Sequence, residues 1–458
     1  MPSSVTKVVT PNLSPSSVTT GSFQARPWSK RLGDRWTQPA DQGDPVTRPG
    51  GGVLAAALPG YTRREERTAE GTAIPRGNPG RPTFRPAKKR ACAAVAARRD
   101  DVVRLSRAIH AEPELGFEEH NAARWLGDLL ADAGFAVTAG PCDLPTALIA
   151  ATGGGPFVVD VFAEYDALPG IGHACGHNLI AAGAVATALA LAPAADDLGL
   201  TVRVVGAPAE ETGGGKVLLM ERGALRDTRL ALMAHPGPYD CVTPCFVAAG
   251  GLEVRYDGRE AHAALNPFDG INAADGMHLA QTAIALLRQH LRPGEFVHGV
   301  VTEAGSAPNV IPSVARATYG LRAPDLPALA ELTARVTACF EAGALATGAR
   351  LGLTPDAVSY AELRSDPALA ESFRDNAPAM WAEPADAPSR VFGSTDFGDV
   401  SHVVPALHPV FGIGASVANH HPGFAAAAAT PHAEEAMLAT ARSLAWTVID
   451  HAGRRSLG

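Results

Sequence analysis

Long apolar runs are missing from this chain. None of 18 or more consecutive apolar residues occurs in its 458 positions, and no Lys/Arg-then-apolar leader opens it. That pattern argues against a membrane span and a signal peptide. Cysteine is scarce as well. Cys92, Cys142, Cys175, Cys241, Cys245 and Cys339 are the only six, and they are unpatterned. A disulfide framework is therefore not expected, and a reducing compartment is. Cys241 and Cys245 are close, but no His or Cys pair at zinc-ribbon spacing follows, so they read as ordinary thiols. Basic charge is short beyond residue 90. Residues 1–90 hold 15 Lys/Arg against 6 Asp/Glu, a net of +9, which leaves −17 for the rest of a chain whose total is −8. A body this acidic is a poor nucleic-acid binder. The expectation is a soluble, cytoplasmic protein with no nucleic-acid or membrane partner.

Residues 1–90 also lack periodicity. They are rich in Pro, Gly, Ser, Thr and Arg, bury too little apolar surface to offset ordering entropy, and are expected to be disordered. A transit-like tail and a start site set too early both fit this segment.

From residue 92 the pattern changes. Helical spacing covers 94–109 and 121–133. Buried-strand patterns at 147–150, 158–162, 201–206 and 230–234 alternate with helices at 178–191 and 216–222. Such alternation predicts an α/β fold with a mostly parallel sheet flanked by helices. Residues 246–354 read as strand, helix, strand, strand, helix, strand, the ferredoxin-like α+β order. Strand and helix signals then resume to residue 458. The expected organisation is a catalytic domain in two parts, 92–245 and 355–458, interrupted by an inserted domain at 246–354.

The chemistry concentrates at His173-Ala174-Cys175-Gly176-His177-Asn178. Glu164-Tyr165-Asp166-Ala167-Leu168-Pro169 stands ahead of it, and the pair Glu210-Glu211 follows. A thiolate, imidazoles and carboxylates are the donor set for divalent transition metals. They lie at or just beyond predicted strand ends, where open α/β sheets place their sites. A metallohydrolase is the natural reading.

These residues resemble a known family. Further motifs strengthen the resemblance: His110-Ala111-Glu112-Pro113-Glu114-Leu115, Gly258-Arg259-Glu260-Ala261-His262, Ser306-Ala307-Pro308-Asn309, Gly393-Ser394-Thr395-Asp396-Phe397-Gly398 and His420-His421-Pro422-Gly423. Over about residues 100–450 the chain is similar to the metal-dependent aminoacylases, carboxypeptidases and dipeptidases of peptidase family M-twenty, in the amidohydrolase branch that carries a Cys ligand. A sub-branch with a dipeptidase and an aminobenzoyl-glutamate hydrolase subunit is nearest.

The resemblance implies two divalent ions, Zn2+ or Mn2+, held by Cys175, His177, Glu211, His235 and His420, with His421 competing for the last place. It implies Glu210 as general base, Asp166 behind a ligand histidine and His262 reaching a partner subunit's site to steady the oxyanion. Asn309 is an implied substrate contact. By its own chemistry Arg322 offers a guanidinium to a substrate carboxylate, and Asp396 is either a contact or a second orienting carboxylate. His173 and His402 are expected to be structural. Asn178 departs from the Asp common at that position, which would alter the charge around a metal. A zinc-peptidase-like catalytic domain, an inserted lid that mediates a homodimer and hydrolysis of a dipeptide or N-acyl amino acid follow from the same likeness. An aminobenzoyl-glutamate-type amide is the second substrate class. A Cys175 thiol nucleophile, with His173 or His177 as base, and an inactive amino-acid- or peptide-binding relative stand as alternatives.

Overall fold

The computed structural model describes residues 84–356 and 358–455, all within one compact unit spanning Gly71–Gly458. The expectation of disorder over 1–83 lies outside the described residues. At its far end that expectation needs correction. Helix α1 (Arg85–Ala97) begins before residue 92 and buries Ala87, Ala91 and Val95. Buried Lys88 donates to Asn376 Oδ1 at 2.8 Å and pairs with Asp450 at 2.7 Å. A basic Lys-Lys-Arg run overlying an alanine face reads as a tail in sequence.

Helices α2 (Arg99–Ala111) and α3 (His120–Asp132) follow. Then come β1 (Ala136–Ala139), β2 (Leu148–Thr152), β3 (Phe157–Ala163), α4 (His177–Leu191), β4 (Leu200–Gly206), α5 (Gly215–Glu221), β5 (Thr228–Leu232), β6 (His235–Gly237) and β7 (Cys245–Phe246). The insert comprises β8 (Ala248–Asp257), α6 (Ala273–Leu287), β9 (Phe296–Glu303), β10 (Val314–Ala323), α7 (Leu326–Thr347) and β11 (Arg350–Pro355). The chain returns through α8 (Pro367–Asn376), β12 (Val391–Gly393), α9 (Phe397–Ser401), β13 (Ala406–Leu407), β14 (Val410–Gly412), α10 (Pro422–Ala427) and α11 (Pro431–Arg455).

The main sheet runs β1-β2-β4-β3-β5-β13. Its β4, β3, β5 and β13 are parallel, while β2 and β1 add antiparallel at one edge. Strand β3 is almost continuously apolar because both of its faces are covered. Its one charge, Asp160, is met by Arg203 on the neighbouring strand through two hydrogen bonds of 2.6 and 2.8 Å. Side chains of α4 and α11 fill the core on one face of the sheet, and those of α5 and α9 pack on the other. Helix α4 opens the one described stretch apolar and long enough to cross a membrane (His177–Ala194), yet 83% of it is buried, as befits a central core helix.

The insert is an all-antiparallel sheet in the order β11-β8-β10-β9, with a core of its own from α6 and α7. Odd-numbered residues of β10, from Ala315 to Ala323, point into that core, and even-numbered ones face away. The opposite sheet face, with Arg322 and His298, is therefore bare of helices.

Candidate active site

Parallel β3, β4 and β5 end at the same edge of the sheet. That alignment gathers Glu164 and Asp166, Glu210 and Glu211, and His235 from three distant stretches. Gly176, in left-handed backbone (φ 78°), turns the chain so that Cys175 and His177 flank the start of α4. His420, also left-handed (φ 65°), enters from the loop before α10, where its N–H donates to the Ala174 carbonyl at 2.9 Å. Asn419 ties this loop down, donating to the Pro236 carbonyl at 3.3 Å and the Cys175 carbonyl at 3.4 Å.

The donor atoms form overlapping groups whose members lie within 4.8 Å of one another: Cys175, His177 and His235; Cys175, Glu211 and His420; His177, Glu210 and Glu211. Cys175 Sγ is 3.6 Å from His235 Nε2, and His420 Nε2 is 3.3 Å from Glu211 Oε1. With metal–ligand bonds of about 2.0–2.3 Å, two donors of a tetrahedral site stand about 3.3–3.6 Å apart. The residues present thus fit divalent ions. His420 joins one of these groups, whereas His421 Nδ1 caps α10 by accepting from the Gly423 N–H at 3.0 Å.

Neighbours set the state of each group. His177 Nδ1 donates to Asp166 Oδ1 at 2.8 Å, which turns Nε2 toward the cluster. Asp166 Oδ2 accepts the Glu211 N–H at 3.0 Å, so one carboxylate positions two of the donors. Burial opposes ionisation of Asp166, but the charge and hydrogen bond of His177 outweigh it and hold it below the usual range. His235 Nδ1 lies 2.7 Å from the Pro236 carbonyl, and burial lowers its pKa to about 4, leaving the neutral imidazole a metal needs. Burial, then the charges of Glu164 and Glu211, raise Glu210 well above an ordinary carboxyl. A carboxyl in this position holds a proton readily.

Of the other expected residues, Asp396 adjoins the donors, whereas His262 and Asn309 lie elsewhere. Asp396 is fully buried, with its carboxylate grouped with those of Glu164 and Glu210. One of its oxygens pairs with Lys216 Nζ, and the other accepts the Lys216 N–H at 2.9 Å. His262 and Asn309 sit together on the exposed insert, joined by an Ala263 N–H to Asn309 carbonyl bond of 3.0 Å, away from the donor cluster. His262 Nδ1 accepts from the N–H groups of Ala264 and Leu265, both at 3.2 Å. Asn178 faces away from the donors. Its amide nitrogen donates to Ser106 Oγ at 2.9 Å and the Ala428 carbonyl at 3.2 Å, so the departure at that position serves helix packing.

Arg322 lines a cleft of about 360 Å³ between the bare face of the insert sheet and the Glu211–Gly213 turn. His298, Asp356 and Tyr360 line it too. Tyr360 Oη donates to the Glu210 carbonyl at 2.7 Å, and Arg322 Nη1 donates to Ser394 Oγ. Sequence reasoning missed Lys216, whose ammonium is buried between Glu164 and Asp396. It stands after three glycines on a short helix, and nothing local marks a lysine as buried.

Residues 161–443 match the family described as Peptidase family M20/M25/M40. The Xaa-Arg dipeptidase of Mus musculus is 38% identical over 79% of this chain and 88% of its own length. One of the subunits of the p-aminobenzoyl-glutamate hydrolase of Escherichia coli (strain K12) is 34% identical over 56% of this chain and 57% of its own. Among solved structures, a dinuclear metal binding peptidase of Bacillus subtilis shares the fold, with a TM-score of 0.59, 21% identity, and coverage of 78% of this chain and 99% of that one. The chain belongs to peptidase family M20/M25/M40. It is a hydrolase of this family, cleaving amide bonds of small substrates by metal-dependent chemistry.

Proposed function

We propose that this chain is a dipeptidase acting on small dipeptides, or on N-acyl amino acids, with a free carboxylate. It would use two divalent ions, zinc or manganese, held by Cys175, His177, Glu211, His235 and His420. One observation carries the metal assignment. Glu164, Asp166, Glu210, Glu211 and Asp396 crowd the site, and among the described residues Lys216 is the one lysine paired with them. Such an excess of buried carboxylates is costly unless some take up protons, as Glu210 does, or cations bind among them.

When bound, the ions would supply a water of lowered pKa and a polarised carbonyl. The chain's residues do the rest. Glu210 accepts the proton from the attacking water and returns it to the leaving amine nitrogen. Asp166 holds His177 and the Glu211 backbone in place. Arg322 faces the substrate carboxylate across the cleft. Asp356 offers a carboxylate to a basic side chain there, in keeping with the substrate class of the mouse relative. The Arg322–His298 pair favours a second reading, an acidic amide of the aminobenzoyl-glutamate type.

We further propose a homodimer through the insert. Leu279, Leu286, Phe296 and Val300 lie 45%, 69%, 48% and 61% exposed on α6 and edge strand β9, and such apolar surface calls for a partner. His262 and Asn309 would then serve the partner subunit's site. The six free thiols suit a reducing compartment, the cytoplasm.

The test is metal content and hydrolysis of Xaa-Arg and Xaa-Glu dipeptides by wild type and Glu210→Gln. Two ions per chain should persist in both, while kcat falls about 10²–10⁴-fold in the variant. Metal-free protein that still hydrolyses substrate would sink the reading and point to the Cys175 thiol.

A further inference from the structure

We infer that Glu164 is itself a metal-facing carboxylate, aimed by Lys216, which completes the centre on the His177 side. The inference rests on the metal-dependent reading and deepens it. Glu164 is fully buried. Its Oε1 is taken by Lys216 Nζ, whereas its Oε2 has no hydrogen-bond partner among the described residues. That Oε2 lies 3.5 Å from His177 Nε2, which is also buried and unpartnered. Glu211 Oε1, a third unpartnered atom, is 3.8 Å from the same nitrogen.

Each such atom is costly to leave unsatisfied, and more so where it is charged. A direct hydrogen bond does not resolve them, because 3.5 Å is long for one even with a proton on Nε2. One divalent cation would satisfy Glu164 Oε2 and His177 Nε2 together. The 3.5 Å gap between Oε2 and Nε2 is the spacing of two donors with bonds near 2.1 Å at a tetrahedral angle, about 3.4 Å.

Lys216 explains the aim. It is fully buried, and its ammonium is committed to Glu164 and Asp396. Asp396 is fixed in turn by the Lys216 N–H at 2.9 Å. With one oxygen of Glu164 pinned to the lysine, the other is directed at the imidazole. Glu164 and Asp166 are two residues apart just beyond β3, and they address the two nitrogens of one ring, Asp166 at Nδ1 and Glu164 at Nε2.

The experiment is titration of the metal-stripped full chain with Co2+, read by calorimetry and by visible absorption, on wild type, Glu164→Gln and Glu164→Asp. Glu164→Asp keeps a charge for Lys216, but its shorter arm cannot reach both the lysine and the metal. The expected result is two Co2+ per wild-type chain. In the variants one site should weaken about 10–100-fold, with a changed absorption band, while the other keeps its affinity. Unchanged affinity and spectrum at both sites, in whichever variants keep the wild-type circular dichroism, overturns the inference and leaves Glu164 as a counter-ion of Lys216. Wild type that binds no Co2+ sinks the underlying metal-dependent reading instead.

Discussion

Glu119 acts on the site without joining it. It is fully buried, and its Oε1 accepts the Ala209 N–H at 2.8 Å. Ala209 has left-handed backbone (φ 56°) directly before Glu210, so this bond shapes the turn that presents the Glu210 carboxyl. Burial pushes the Glu119 carboxyl up to about 7. Below about pH 4.5 the group is neutral in both folded and unfolded chains and costs nothing. As pH rises from there to 7, the unfolded chain releases the proton first. Stability therefore falls across this window, by roughly 3 kcal/mol at most, and levels off above it. Glu119→Gln should remove the dependence. Its Tm relative to wild type should be higher at pH 8 than at pH 5, and an equal difference at both would refute the raised value. In the cleft, Arg322→Ala should lower kcat/KM about 10–100-fold for substrates with a free carboxylate, the range of one charge-assisted hydrogen bond. Amidated analogues should be far less affected, and an equal loss on them would show that Arg322 acts only through Ser394.

At the scale of elements, the start of α4 governs the proposed metal ligands Cys175 and His177. Gly176 is left-handed, and a Cβ there would stand 2.5 Å from Pro236 Cγ and 3.3 Å from Phe424 Cε1. Gly176→Ala should therefore cost about 2–4 kcal/mol from strain and overpacking. Because Cys175 and His177 flank it, bound metal should fall below two ions per chain. A lowered Tm with full metal content would show that the turn is merely structural.

The whole molecule raises the question of a second copy. Light scattering should give a dimer, and Leu286→Lys with Val300→Lys should give a folded monomer. If His262 serves the partner's site, His262→Ala and Glu210→Gln, each nearly inactive alone, should complement on mixing. Random exchange makes half of the dimers mixed, each with one intact site, so about a quarter of wild-type activity should return. No recovery after subunit exchange would leave His262 without a catalytic task.

Local chemistry was legible in the chain. Cys175-Gly176-His177 and Glu210-Glu211 announce a metal because donor type and short spacing are properties of neighbours in sequence. The alternating patterns over residues 252–353 likewise foretold the strand and helix order of the insert, since periodicity reports which face is buried. Other features escaped for a common reason. Nothing near Asp396 in the sequence says that Lys216, 180 positions away, will neutralise it, and the alanine face of α1 is too weak a signal beside its basic run. The choice of His420 over His421 turns on a single left-handed residue. The sequence by itself thus determined the chemical class of the site and the kinds of elements that carry it. Only the tertiary structure decided which carboxylates are buried together, which histidine turns inward and where the cleft opens, because burial and charge pairing belong to the packed chain as a whole.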